Sequence, residues 1–401
     1  MSAVLDQEIQ RVNSATRAMI DAYCQWNGKI ETGEIEYSLY GDLLEFVNFR
    51  IETADSCLLL LEHNKVADSL GLCRPLLENY LIFMLMCRGH KFFQLQDLSG
   101  EALTEGQFKA RVKEAQEELE KLKDAGTAQY IDVKRYPRAK HRIMYVFEGL
   151  KDKDDPTHIV PLHFFQFQDF NPELMRLKED KYFQYYEHSK ETKKVIQGHV
   201  EAEAWRYKYY LAYDALLHNL EINDIIDAGG IARIEAHYTF LGKFVHPTKD
   251  AARDLHERSN WHSRHTGIGI AQPYEGQAKL LAALYLCHLV AGLLNEIAAL
   301  IEKAPSKYIT DAGTEDVRRA TACASDDFGY FWFLFNKPPR YDRFNYCVHH
   351  ATQDQVNGWG GYENVPIELV SFNKDIYGNF KNALNSQRTV LYTYQSPLPG
   401  M

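Results

Sequence analysis

The sequence predicts a mainly α protein: an irregular helical bundle with a long helical insertion and a mixed, aromatic-rich C-terminal appendage. Long segments of the first three hundred residues carry apolar side chains at helical spacing. Four prolines break the chain between residues 126 and 200, and residues 325–401 combine many aromatic residues with recurrent Gly and Pro. We therefore predict a bundle over residues 1–324, with its insertion at about 91–200, and a mixed α/β appendage over residues 325–401.

The periodic segments define the helices in order. Their predicted bounds are 4–26, 40–63, about 64–88, 101–125, 201–220, 231–245, 277–303 and 314–322. Pro75 lies inside the third helix and should kink it near Gly71, because proline removes one backbone hydrogen bond. We expect short helices in an irregular chain over 126–200, and strands at 365–372 and 389–394.

The helix predicted at 101–125 is polar except for one narrow stripe. The stripe consists of Phe108, Val112, Ala115, Leu119 and Leu122, spaced four, three, four and three residues apart. A stripe of this length needs a cover, which is either the insertion of the same chain or a second subunit. We expect a homo-oligomer, or another protein partner, to be part of the assembly.

Composition and charge exclude several classes of protein. The formal net charge of −10 disfavours a constitutive nucleic-acid binder. Seven cysteines without a CxxC pair indicate reduced thiols in a cytoplasmic protein, and we expect no metal. The apolar runs Tyr80 to Cys87 and Leu280 to Leu294 are too short to span a membrane, so we expect none. P-loop, HExxH and GxSxG motifs do not occur, and no cofactor is predicted.

Three residues form the main candidate site. Arg74 and Glu78 are four apart in an apolar segment and share a helix face. They form either a structural ion pair or a charged cluster facing a cleft. His246 precedes Pro247, so the helix should end there, and this histidine is either a capping residue or an acid/base group. We predict that Arg74, Glu78 and His246 lie in one polar cluster.

These elements resemble a bacterial all-helical family of unknown function related to the HEPN ribonucleases and defence toxins. The similarity rests on Arg74-Pro75-x-x-Glu78, the helix around Tyr207, and Tyr238-x-x-Leu241-x-x-x-x-His246-Pro247, within residues 40–90 and 200–300. The large insertion and the C-terminal region depart from that family. The resemblance implies catalytic roles for Arg74, Glu78 and His246.

The HEPN nuclease signature itself, an Arg and a following His with four to six residues between them, is not established in this chain. Arg/His pairs at that spacing are no more frequent than chance provides: Arg135/His141, Arg258/His265, Arg343/His349 and Arg343/His350. The residues after these arginines are Tyr136, Ser259 and Phe344 rather than Asn, Asp or His.

Two further motifs have a binding and a structural interpretation. The run from Lys134 to Arg142 contains Lys134, Arg135, Arg138, Lys140 and Arg142, with Tyr136 among them. It either contacts RNA phosphates, with Tyr136 stacked on a base, or is a solvated surface balanced by nearby acidic residues. His256, His262 and His265 form either a metal or phosphate site or a polar loop.

Two functions follow from these patterns. The first is a HEPN-like bacterial effector, a metal-independent ribonuclease or toxin of an antiviral defence system. In it His246 or His265 would transfer protons, and a neighbouring arginine would stabilise the charge on the reacting phosphate. The second is a non-enzymatic helical binding or scaffold protein that holds a partner chain.

Overall fold

A computed structural model describes residues 2–32, 39–148, 170–171, 176–177, 213–246, 248, 251, 253–257 and 273–386. The helices are α1 (Ser2–Asn27), α2 (Leu39–Glu62), α3 (Val66–Arg88), α4 (Glu105–Asp124), α5 (Tyr213–Ile222), α6 (Ala228–Val245), α7 (Gly276–Ile301), α8 (Glu315–Asp326), α9 (Arg340–His350), α10 (Gln353–Gly358) and α11 (Ile376–Ser386). The strands are β1 (Glu31–Thr32), β2 (Lys91–Asp97), β3 (Asp132–Arg135), β4 (Arg142–Glu148), β5 (Phe170–Asn171), β6 (Arg176–Leu177) and β7 (Ile309–Asp311). The mainly α prediction is confirmed.

Helix α7 is the centre of the bundle. Its sequence is apolar on all sides, and nearly every one of its side chains is buried. Helices α1, α2, α3, α8 and α11 pack around it. Gly292 lets α3 come close, because a Cβ at this position would lie 2.5 Å from Tyr80 Cζ.

Two helices have the length and composition of membrane spans. Helices α3 and α7 are 23 and 26 residues long, which exceeds the apolar runs visible in the sequence. Their most apolar windows are 56% and 89% buried inside the protein itself. Burial of this kind is typical of the core helices of a soluble protein.

The described part of the insertion is not purely helical, so this part of the fold prediction is wrong. Strands β2, β4 and β3 form an antiparallel sheet in that order, with Lys91 opposite Glu148. In β4, the segment RIMYVFE, apolar and aromatic residues predominate, which favours a strand over a short helix. The sheet pairs segments far apart in the chain, so local periodicity could not reveal it.

The sheet covers the apolar stripe of α4. Phe108, Ala115 and Leu119 are buried against Val133 and Ile143. A capping box at Thr104 and Gln107 begins the helix. Of the two covers that the sequence allowed, the structure shows the chain's own insertion, so this stripe gives no reason to invoke a second subunit.

The described part of the appendage contains helices and turns where the sequence predicted a strand. Ile367–Leu369 is a single 3₁₀ turn, preceded by Pro366, which cannot donate a backbone hydrogen bond. The strand predicted at 389–394 lies outside the described residues. Phe331, Phe333 and Phe380 extend the main core from α7 into this region.

The seven cysteines are all free.

Replacing Gly292 with Ala tests the close approach of α3 to α7. The added methyl group would clash with the Tyr80 ring, so we expect the free energy of unfolding to fall by about 1–3 kcal/mol. Gly106→Ala is the control, since a Cβ at this exposed helical position meets nothing within 4 Å. Urea denaturation should show Gly106→Ala unchanged or stabilised. Equal stability of the two variants would contradict the packing described above.

Candidate functional site

Arg74 and Glu78 lie on one face of α3, one helical turn apart. Arg74 Nη2 is 3.4 Å from Glu78 Oε1. The Arg74 side chain is only 12% exposed, whereas that of Glu78 is 38% exposed. A guanidinium buried to this extent requires partners, because an unpaired buried charge is strongly destabilising.

Tyr238 of α6 supplies the other contacts. Its hydroxyl donates to Glu78 Oε1 at 2.8 Å, and its carbonyl oxygen accepts from Arg74 Nη1 at 3.3 Å. The Arg74 guanidinium carbon lies 3.0 Å from the centre of the Tyr238 ring. Burial, together with the hydrogen bond to Glu78, raises the pKa of Tyr238 to about 12. We call Arg74, Glu78 and Tyr238 the Arg74 cluster.

Two glycines allow α3 and α6 to approach closely enough for these contacts. A Cβ on Gly242 would lie 2.5 Å from Arg74 Nη1, and one on Gly71 would lie 3.5 Å from the carbonyl oxygen of Phe244. The two helices therefore run antiparallel, with Gly71 near Phe244 and Glu78 near Tyr238. The guanidinium is enclosed between them, so the cluster fastens α6 to α3.

His246 ends α6, as the sequence predicted, but its side chain lies on the surface. Its backbone is extended, with φ −90° and ψ 146°, and its N–H donates to the Gly242 carbonyl. Within the described part of the chain, the imidazole has no hydrogen-bond partner. The structure thus brings Arg74 and Glu78 together with Tyr238, and within the described residues it shows no contact of the His246 side chain with them.

The basic run is largely balanced by carboxylates. Its ion pairs are Lys134 with Asp132 at 3.4 Å, Arg135 with Glu105 at 2.5 Å, Arg138 with Asp214 at 3.1 Å, and Arg142 with Asp97 at 2.9 Å. Lys140 is exposed. Tyr136 is only 4% exposed and packs against Phe93 and His218. The expectation that Tyr136 stacks on a base is therefore wrong, because the ring belongs to the core.

The histidine motif is only partly visible. His256 stacks on Tyr274, with ring centres 4.3 Å apart. His262 and His265 lie outside the described residues. Among the residues that the structure describes, no group of three or more His, Cys, Asp or Glu side chains is arranged to hold a metal.

A cleft of about 660 Å³, which we call the α6 cleft, adjoins the Arg74 cluster. One wall is the outer face of α6, and the other is the segment that leads into α11. The lining residues are Tyr213, Glu235, Ala236, Thr239, Phe240, Lys243, Lys374, Asp375 and Ile376. This site has no signal in the sequence, because Lys243 and Lys374 are remote in the chain.

The charges that line the α6 cleft are unevenly compensated. Glu235 lies 3.5 Å from Arg138, and Asp375 Oδ1 accepts from the Gly378 N–H at the start of α11. Within the described residues, the ammonium groups of Lys243 and Lys374 have no hydrogen-bond or ion-pair partner. The cleft therefore contains two lysines without an ion-pair partner among the described residues, together with one carboxylate, Asp375, that only a backbone N–H contacts there.

Tyr213 connects the Arg74 cluster to the α6 cleft. Its ring stacks on Tyr238, with centres 3.4 Å apart and an interplanar angle of 11°. Burial raises the pKa of Tyr213 well above its usual value. Because Arg74 and Glu78 hold Tyr238, they also set the position of the Tyr213 ring in the cleft wall.

Comparison with protein-family models, with curated proteins and with solved structures gives no match. The function of the chain therefore has to be inferred from the geometry of its own side chains.

The Tyr238→Phe variant tests the hydrogen bond to Glu78. Loss of the hydroxyl should cost about 1 kcal/mol of unfolding free energy, because Glu78 is partly exposed and water replaces the lost donor. A double-mutant cycle with Glu78→Ala, which removes the acceptor, should show coupling between the two positions. Tyr145→Phe is the control, since its hydroxyl donates to Gln96 at the surface. Additive effects of Tyr238→Phe and Glu78→Ala would contradict the assigned contact.

Proposed function

We propose that this chain is a helical binding protein whose α6 cleft holds a small anionic ligand with an aromatic or apolar body. The observation that supports the proposal is a cleft of about 660 Å³ lined by two lysines, Lys243 and Lys374, that have no ion-pair partner among the described residues. Small-molecule sites have volumes of roughly 300–1,000 Å³, with a few polar groups on largely apolar walls.

The negative net charge of the whole protein makes a local pair of lysines a distinctive site for an anion. The net charge of −10 repels an anion at long range, so an anionic ligand needs a concentrated positive site. Two ammonium groups supply charge-assisted hydrogen bonds to a carboxylate or a phosphate. Tyr213, Phe240 and Ile376 supply the apolar surface for the rest of the ligand.

The side chains of the cleft favour binding over catalysis. No His or Cys is among the lining residues, so imidazole and thiol groups are missing from this set, and its two carboxylates are held by other groups, Glu235 by Arg138 and Asp375 by the Gly378 N–H. Arg74, which the family resemblance would make catalytic, is enclosed by Tyr238 and Gly242. These contacts support the binding hypothesis over the effector hypothesis.

Phenyl phosphate is a suitable first ligand, because it combines an anionic group with an aromatic ring. We expect saturable binding in titration calorimetry, and a loss of at least about tenfold in affinity in the variant carrying both Lys243→Glu and Lys374→Glu. Lys337→Glu, at an exposed lysine outside the cleft, is the matched control and should bind like the unmodified protein.

The neutral analogue phenol separates the contribution of charge from that of the aromatic ring. It should bind more weakly than phenyl phosphate, and the lysine substitutions should not affect it. Absence of phenyl phosphate binding, or equal binding by the double variant, would overturn the proposal.

The ribonuclease hypothesis remains a prediction that can be tested separately. If His246 transfers protons, the protein should cleave single-stranded RNA in the presence of EDTA, and His246→Ala should abolish cleavage without lowering stability. If the chain is instead a binding protein, as we propose, the RNA should remain intact. Cleavage that depends on His246 would favour the effector function.

A further inference from the structure

A second, smaller pocket lies on the inner side of α6. It has a volume of about 50 Å³, which accommodates about three to five water positions. Its lining side chains include His237 of α6, Asp342 of α9, and aromatic residues between these helices and α11. Ile376 lines both this pocket and the α6 cleft, so the two sites are neighbours. We call this the Asp342 pocket.

Asp342 is the charged group of the pocket. It lies in the first turn of α9, is half-buried, and has no hydrogen-bond or ion-pair partner within the described residues. Burial raises the pKa of its carboxyl group to about 6, and no neighbouring charge is among the causes of the shift. At neutral pH the pocket therefore holds a negative charge that no described residue pairs.

The described cations near the pocket contact groups other than Asp342. Arg233 lies over the ring of Trp332, which is a wall of the pocket, at 5.0 Å, and interacts electrostatically with Asp227. Arg340 pairs with Glu363 at 3.5 Å, and Arg343 donates to the Glu363 carbonyl. His237 is fully buried, and burial lowers its pKa to about 3, so it stays neutral at neutral pH.

The walls of the pocket suit a cation. Its aromatic members are Tyr330, Phe331, Trp332, Tyr341, Phe372 and Phe380. Aromatic faces attract ammonium groups, and more strongly where water is excluded. Trp332, which lines the pocket, is 5% exposed, and its buried Nε1–H has no hydrogen-bond partner among the described residues, so this residue has an unused donor.

We infer that the Asp342 pocket binds a small amine as its ammonium ion, with a hydroxyl or similar acceptor beside the ammonium group. The ammonium group would pair with the Asp342 carboxylate among the aromatic rings. The acceptor of the ligand would accept a hydrogen bond from Trp332 Nε1–H. The Asp342 carboxylate would repel a small anion, and a neutral molecule would leave the charge of the carboxylate uncompensated. This inference does not depend on the ligand of the α6 cleft.

Ethanolamine tests the inference on the full-length protein. Calorimetry and the indole N–H resonance of Trp332 should both report saturable binding, which for so small a ligand is no tighter than roughly tens of micromolar. Asp342→Asn should weaken binding at least about tenfold. Trp332→Phe should weaken the binding of ethanolamine more than that of ethylamine, which lacks the hydroxyl, because both ligands lose cation–π attraction but only ethanolamine loses a hydrogen bond. Asp354→Asn, at an exposed carboxylate on α10, is the matched control.

Thermal unfolding shows whether Asp342→Asn acts through the ligand or through the fold. Because the pKa of Asp342 is raised, its ionisation destabilises the folded protein as the pH rises from 4 through 6. The Tm of Asp342→Asn should therefore equal or exceed that of the unmodified protein at pH 7. Any one of three results would overturn the inference. A folded Asp342→Asn variant could bind ethanolamine with unchanged affinity, the unmodified protein could bind acetate more tightly than ethanolamine, or its binding of ethanolamine could fail to saturate.

Discussion

The fold depends on the burial of α7. A helix that is apolar on all sides has to be covered on all sides, and the protein meets this requirement with α1, α2, α3, α8 and α11. The cover reaches into the C-terminal region, where Phe331 and Phe333 pack beside His288 of α7. His288 is fully buried, and burial lowers its pKa to about 4, so the core contains no charge at this position at neutral pH.

Helix α6 is the element on which the candidate sites depend. Tyr238 fastens it to α3 through Arg74 and Glu78. Its outer face carries Thr239 and Lys243 into the α6 cleft, whereas His237 lines the Asp342 pocket on its inner side. Burial of the Arg74 guanidinium costs desolvation energy, so we expect the pair with Glu78 to contribute mainly by fixing one arrangement of the two helices. That arrangement determines the shapes of both cavities.

The helices could be predicted because their evidence is local. The periodicity of 40–63 and 277–303, and the end of α6 before Pro247, needed no knowledge of tertiary contacts. The sheet of β2, β4 and β3 could not be predicted, because Lys91 and Glu148 pair across a long stretch of chain. Arg74 and Glu78 were found together through helical spacing, but their third partner, Tyr238, is 164 residues from Arg74 and had no sequence signal of its own.

Native-state hydrogen exchange of the Arg74→Ala variant tests whether the Arg74 cluster holds α6 in place. If it does, the amides of α6 near Tyr238 and those of α5 near Tyr213 should exchange faster than in the unmodified protein, because the attachment to α3 is lost. The amides of α7 should keep their protection, since the core around α7 does not depend on the cluster. Unchanged protection throughout α6 would show that the cluster has no such role.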